Sequence, residues 1–294
     1  MNKGGTHDKK TSFVDAIRGK IELQDNDVDV VILKSDGLPT YHFAHVCDDH
    51  FMHTTLVTRG EEWIPSTPIH LDMFKALGWE APKYAHLPVI MDITSENVKE
   101  KLAGYDGILV PGGFGERGSE GKKIAIRYAR ENRVPFLGIC FGLQLALVEY
   151  AQDVLGLKDA NTTEFDPSTK SPVIDLLRDQ YAGIKMGGTM RLGLYDCHIQ
   201  KGTLAYKCYG ETDIKERHRH RYEFNNQFKE AFEKSGLVFS GINPQAGLAE
   251  IIELPSHPFF IACQFHPEFT SRPLKPNPLF REFIAASIAY ESHR

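Results

Sequence analysis

The sequence predicts an α/β fold in which a largely parallel sheet is flanked by helices. Three observations carry that expectation. Short apolar runs alternate with helix-period segments along most of the chain, the rhythm of strand–helix–strand units. Two runs, Gly107 to Val110 and Val134 to Ile139, lead straight into Pro111-Gly112-Gly113-Phe114-Gly115 and into Cys140, as loops at strand ends do. The 294 residues are 41% hydrophobic and 25% charged, enough to bury a sizeable core and too apolar for a disordered chain.

Element by element, Asp29 to Lys34 reads as a strand stopped by Ser35-Asp36-Gly37. His42 to Met52 places Phe43, Val46, Cys47 and Phe51 near helical spacing, and Thr55 to Thr58 is a short strand. Ser66-Thr67-Pro68 is expected to cap a helix running to Leu77, with proline where its missing N–H costs nothing. Tyr84 to Ile90 follows as a strand, then Ser95 as cap of a helix from Glu96 to Leu102. Gly121 to Asn132 and Leu143 to Leu155 read as helices on either side of the Val134–Ile139 strand. From Tyr181 onward the strands shorten: 191–198, 237–242, 247–253 and 259–265, before a last helix over 278–290.

Charge and cysteine content exclude several classes. Lys and Arg number 34 against 39 Asp and Glu, a net charge of −5, so a nucleic-acid-coating role is disfavoured. No stretch approaches the apolar length of a membrane span, and Met1 to Lys10 is polar, unlike a signal peptide. Five cysteines without a CxxC pair argue for reduced thiols and a cytoplasmic protein rather than a disulfide framework. No metal or cofactor is implied.

The sharpest feature is Gly138-Ile139-Cys140-Phe141-Gly142. A nucleophile between strand and helix sits on a tight turn, and flanking glycines give it room. The helix N-terminus favours a thiolate. The bland alternative is one more small buried thiol, and the strand–elbow–helix context weighs against it. His266-Pro267-Glu268 follows the Phe259–Phe265 strand, so a base and a carboxylate emerge at a strand end, two residues apart and able to point the same way. The glycines of the 111–115 loop let backbone N–H groups approach a substrate, as an oxyanion hole requires. A phosphate-binding loop is the weaker reading, because no GxxxxGK[ST] occurs.

The order PGGFG, GICFGLQ, CQFHPEF resembles class I glutamine amidotransferases, whose flavodoxin-like fold it implies. ENVKEKLAGYDGILVPGGFGERG, ANTTEFD, KMGGTMRLG, ERHRHRYEFN and ACQFHPEFTSRP resemble the glutaminase domain of CTP synthase from about Ser95 to the C-terminus. The resemblance implies Cys140 as nucleophile, His266 as general base and acid, and Glu268 as the group orienting His266. It implies an oxyanion hole from the N–H groups of Gly113 and Phe141, and Gln144, Glu164 and Arg221 at positions that hold glutamine. Glu164 suits the α-ammonium group, and a buried arginine suits a carboxylate or an ion pair. Without the resemblance, Arg217 to Arg221 reads as a basic surface patch.

SDGLPTYHFAHVCDDHFMHTTLVTRGEEWIPSTPIHLDMFKALGWEAPKYAHLPVI is similar to glutamyl-tRNA synthetase over roughly Ser12 to Ile90, and Tyr41, Arg59 and Trp63 match positions lining the family's glutamate pocket. The HIGH-type and K-[LM]-S-K-[RS] motifs that hold ATP phosphates in that family are missing, so aminoacylation is not expected. The first strand and helix of CTP synthase glutaminase domains and the amidoligase domain are missing too, so CTP formation by this chain alone is not expected. The chain reads as a hybrid: residues 1–92 a synthetase-like segment packed into the same sheet, residues 93–294 an amidotransferase domain. The function expected is hydrolysis of L-glutamine to glutamate and ammonia through a cysteine thioester, with ammonia passing to an amidoligase partner as in UTP to CTP conversion. The competing readings are a non-catalytic hybrid with a misassembled site and a glutamate- or RNA-binding remnant of a synthetase.

Overall fold

A computed structural model describes residues 10–24, 29–87, 93–176, 190–272 and 274–292. The chain divides into two compact units, Met1–Ile90 and Met91–Arg294.

In the N-terminal unit, strands β1 (Lys10–Asp15) and β2 (Gly19–Gln24) form an antiparallel hairpin. Its turn is fixed by Asp15, whose Oδ1 accepts the N–H groups of Ile17 and Arg18 at 2.9 and 3.0 Å, and by Gly19 at φ 72°. Helix α1 (Tyr41–Phe51) precedes β3 (Leu56–Gly60), helix α2 (Thr67–Ala76) and β4 (Lys83–Leu87). β3 and β4 pair in parallel across α2, the βαβ unit expected. The sheet order is β2-β1-β4-β3.

Three expectations change here. Among the described residues β3 and β4 belong to a four-stranded sheet of their own and not to the larger sheet, and a hairpin not expected from the sequence supplies β1 as the second partner of β4. Asp29–Lys34 is not a strand; Ser35-Asp36-Gly37 folds it back on itself, with one bridge between Leu33 and Pro39 and Val31 and Leu33 exposed. Ser66 makes no capping bond, because a 3₁₀ turn over Glu61–Ser66 already runs into α2. Residues 88–90 of the expected 84–90 strand lie outside the described residues.

The second unit opens with α3 (Val98–Leu102). Ser95 was expected as its cap, but the helix starts after Asn97, whose side chain and Thr94 exchange bonds with each other's N–H groups at 2.8 and 3.4 Å. β5 (Ile108–Val110), α4 (Ser119–Asn132), β6 (Phe136–Ile139) and α5 (Phe141–Asp153) follow as expected to within a few residues. α5 is buried continuously from Phe141 to Ala151. A helix hydrophobic on every side belongs inside the core, and α5 touches β6 and the strand Phe260–Cys263 as well as a small three-stranded sheet. That small sheet comprises β7 (Ala160–Thr162), β8 (Ser171–Asp175) and β11 (Glu223–Phe224).

The main sheet adds β9 (Arg191–Ile199), β10 (Asp213–His220), β12 (Val238–Ile242), β13 (Ala249–Glu253) and β14 (Phe260–Cys263), in the order β10-β9-β12-β13-β14-β6-β5. Helices α6 (Leu204–Tyr209), α7 (Lys229–Lys234) and α8 (Pro278–Glu291) pack around it. The α/β class holds, but only β5, β6 and β14 run parallel; the remaining pairings are antiparallel. The connections 243–248 and 254–259 are too short for a parallel crossover. Residues 177–189, including expected Tyr181 and most of KMGGTMRLG, lie outside the described residues.

Candidate active site

The β6–α5 turn is built by its glycines. A Cβ on Gly138 would lie 2.8 Å from Ala262 Cβ and 3.0 Å from the Gly142 carbonyl carbon. A Cβ on Gly142 would land on the carbonyl oxygen of Val110. Both positions beside the elbow therefore admit only hydrogen, and β5, β6 and β14 close tightly around it. Cys140 itself sits at φ 50°, ψ −98°, a conformation that costs a non-glycine residue on the order of 1–3 kcal/mol. Its N–H donates to the Cys263 carbonyl at 2.7 Å, which helps to hold the strain. Gly142→Ala is expected to cost about 3 kcal/mol by overpacking against backbone, read as a lower unfolding midpoint. Gly104→Ala, with nothing within 4 Å, is the control, and equal effects at the two positions would refute this account of the elbow.

His266 follows β14, and its N–H is anchored on the Arg217 carbonyl of β10 at 2.8 Å. A 3₁₀ turn over Pro267–Phe269 brings Glu268 Oε1 to 2.6 Å from His266 Nδ1 and stacks Phe269 on the imidazole at 5.0 Å between centroids. The carboxylate favours the proton on Nδ1 and leaves Nε2 as the basic atom. Nε2 has no hydrogen-bond partner among the described residues. A Cβ on Gly112 would lie 2.8 Å from His266 Cε1 and 3.7 Å from Cys140 Cβ, so this glycine lets thiol and imidazole converge.

Burial pushes the Cys140 thiol up to about 12, although the Phe141 N–H and a hydrogen bond from Gln264 pull the other way. The helix-terminus effect read from the sequence is present, but desolvation outweighs it. Deprotonation at this sulfur therefore needs a nearby base.

Of the other expected residues, Phe141 packs against Gly113, where a Cβ would lie 3.4 Å from the ring. Glu164 Oε1 accepts the Gly115 N–H at 2.9 Å, which ties it to the glycine loop. Gln144 is buried and donates to the Tyr222 carbonyl at 2.9 Å. Arg221, next to Tyr222, is exposed. The expected basic surface patch is only half basic: Arg217 and Arg219 point outward, while His218 and His220 are buried by strand alternation.

The buried arginine is Arg191, which the sequence reading placed only as a strand start. Its guanidinium lies 2.6 Å from Glu250 Oε1 and 3.3 Å from Glu223 Oε1, with all three side chains fully buried. Burial pushes both carboxyls well above their ordinary value, against the pull of Arg191. Gln264 was also missed; it is fully buried and its Nε2 lies 3.7 Å from Cys140 Sγ. Its position two residues before His266 is the signal in the sequence that could have found it.

The N-terminal unit holds its own cluster. Tyr41 and Trp63 rings lie 4.7 Å apart, with the Arg59 guanidinium 5.9 Å from the Trp63 ring centre and 4.9 Å from that of Tyr84. Arg59 donates to Thr67 Oγ1 at 2.8 Å and to His86 Nε2 at 3.0 Å. Burial, then the charges of His45 and Arg59, push His70 down to about 3, so a neutral ring faces Arg59 Nη1 at 3.1 Å.

The sequence profile of "Glutamine amidotransferase class-I" matches residues 83–286. The chain belongs to the class-I glutamine amidotransferase family. With that membership comes a glutaminase-type function. Residues 5–102 match "tRNA synthetases class I (E and Q), catalytic domain". The chain is 59% identical over 203 residues to a CTP synthase of Staphylococcus saprophyticus, covering 69% of this chain and 38% of that protein. It is 61% identical over 197 residues to a CTP synthase of Halalkalibacterium halodurans, covering 67% and 37%. This amidotransferase chain thus spans little more than a third of those relatives' length. A solved glutaminase domain of Trypanosoma brucei CTPS with bound acivicin is 32% identical, with a TM-score of 0.64, over 80% of this chain and 93% of that one. No helix among the described residues is long and apolar enough to cross a membrane.

Proposed function

We propose that the chain hydrolyses L-glutamine at Cys140 and releases ammonia for an amidoligase partner. The observation that carries this reading is the convergence of a strained elbow cysteine and a Glu268-oriented His266 beside the position a Cβ on Gly112 would take. In the proposed reaction Sγ attacks the γ-carboxamide carbon while His266 Nε2 takes the thiol proton. The Gly113 and Phe141 N–H groups stabilise the resulting oxyanion. The C–N bond breaks as His266 returns the proton to the departing ammonia, leaving a γ-glutamyl thioester. His266 then deprotonates water, which attacks the thioester and releases glutamate and the free thiol. Glu164 holds the α-ammonium, Arg221 the α-carboxylate, and Gln144 lines the site.

The amidoligase is proposed from the CTP synthase relatives, in which ammonia would convert UTP to CTP. Residues 1–92 are proposed to be a synthetase-like segment without aminoacylating activity, since the ATP-binding motifs of that family do not occur in it.

Glutamate release from glutamine by the purified chain tests the proposal; no release above the uncatalysed rate refutes it. Members of a cooperating nucleophile–base unit lose activity non-additively. His266→Ala is therefore expected to be about as inactive as the Cys140→Ala/His266→Ala double variant, whereas additive losses would separate the two residues. Glu268→Gln is expected to retain more activity than His266→Ala, because an amide can still hold the Nδ1 proton.

A further inference from the structure

We propose that Gln264 holds the charged form of Cys140 Sγ and fixes its direction, an inference that rests on Cys140 being the nucleophile. Two contacts define the arrangement. Gln264 Nε2 donates to Cys140 Sγ at 3.7 Å, and Gln264 Oε1 accepts from Gln144 Nε2 at 3.3 Å. The orientation of the amide follows from its neighbours. The Tyr222 carbonyl can only accept, so the Gln144 atom facing it at 2.9 Å is nitrogen. That nitrogen must in turn meet the oxygen of Gln264, which leaves the Gln264 N–H groups facing sulfur. The residue is fully buried, and its backbone N–H is pinned to the Glu250 carbonyl at 2.8 Å.

An amide N–H facing a neutral thiol makes a weak bond, whereas the same N–H facing a thiolate makes a charge-assisted one, roughly twice as strong as a neutral pair. The contact therefore strengthens as the proton leaves Sγ for His266 Nε2 and the electron pair stays on sulfur. It acts against the desolvation that otherwise disfavours charge at this atom. Gln144 then contributes through Gln264 by locking the direction of its amide.

The test is the pH dependence of iodoacetamide alkylation of Cys140 in the full chain, followed by mass spectrometry of the peptide that contains it. Gln264→Met keeps volume and removes the donor. It is expected to shift the rise in rate upward by about one pH unit, roughly tenfold slower at a given pH on the rising limb. Gln264→Glu is expected to be slower still, since a carboxylate repels the thiolate. Gln264→Asn, which withdraws the amide but stays polar, carries the same test if the methionine variant fails to fold. A merely structural role would change the unfolding midpoint or the glutamine KM and leave the pH profile in place. Profiles of the variants that superimpose on the parent would overturn the inference. Failure of the parent's Cys140 to react with the glutamine analogue diazo-oxo-norleucine would instead overturn the nucleophile assignment beneath it.

Discussion

Replacing Cys140 by alanine is expected to lower glutamate release by at least about a thousandfold, since loss of one member of a nucleophilic unit removes nearly all of its contribution. The fold is expected to survive. The change deletes one buried sulfur, on the order of 1 kcal/mol of packing, while the backbone bond from Cys140 N–H to Cys263 needs no side chain. Matching unfolding midpoints with a collapsed rate would locate the loss in chemistry. Activity within tenfold of the parent would defeat the assignment. Single alanine variants at Cys47, Cys197, Cys208 and Cys263 are expected to keep catalysis.

Arg191→Leu is expected to cost about 3–5 kcal/mol near pH 8, the range for breaking a buried ion pair. The variant leaves Glu223 and Glu250 facing each other with no cation between them. His218 Nε2 lies 3.4 Å from Glu250 and His220 Nδ1 3.6 Å from Glu223, and burial, then Arg191, holds both rings neutral. The pH dependence has a defined sign. Burial places both carboxyls above their ordinary 4.5 in the folded state, so their favourable contribution is full below pH 4.5 and is lost as pH rises through their raised values. Removing Arg191 raises them further, because the pull of its charge is lost. The deficit is therefore expected to be smallest near pH 5 and to grow towards pH 8, as measured by urea unfolding at both. Equal deficits would show that the carboxyls carry no charge in the parent. Glu250→Gln in the Arg191→Leu background is expected to recover part of the loss at pH 8.

The elbow was legible in the sequence because its demands are local. A glycine on either side of a strand-to-helix cysteine reports backbone crowding, and Gly138 and Gly142 meet it from β14 and β5. The His266–Glu268 contact was legible from spacing alone, although a 3₁₀ turn at Pro267–Phe269, and not strand alternation, brings the two side chains together. Arg191, Glu223 and Glu250 were not legible. They lie on β9, β11 and β13, and only pairing across two sheets brings their charges together. The alternation of β10 was hidden by composition: five consecutive basic-type residues read as a surface patch until burial separated the histidines from the arginines.

By itself the sequence determined the parallel strand–helix core around β5, β6 and α5, the elbow, and the two family likenesses, because periodicity, glycine placement and short motifs act within a few residues of one another. Only the tertiary structure decided that the last third of the chain pairs antiparallel, since strand direction depends on connection length and on which edge is open. Only it decided that β4, already paired with β3, takes β1 of the hairpin as its second neighbour, since pairing between strands so far apart along the chain leaves no local signal. And only it decided that burial, rather than the helix terminus, governs the Cys140 thiol: desolvation is set by everything packed around the sulfur, which no spacing along the chain encodes.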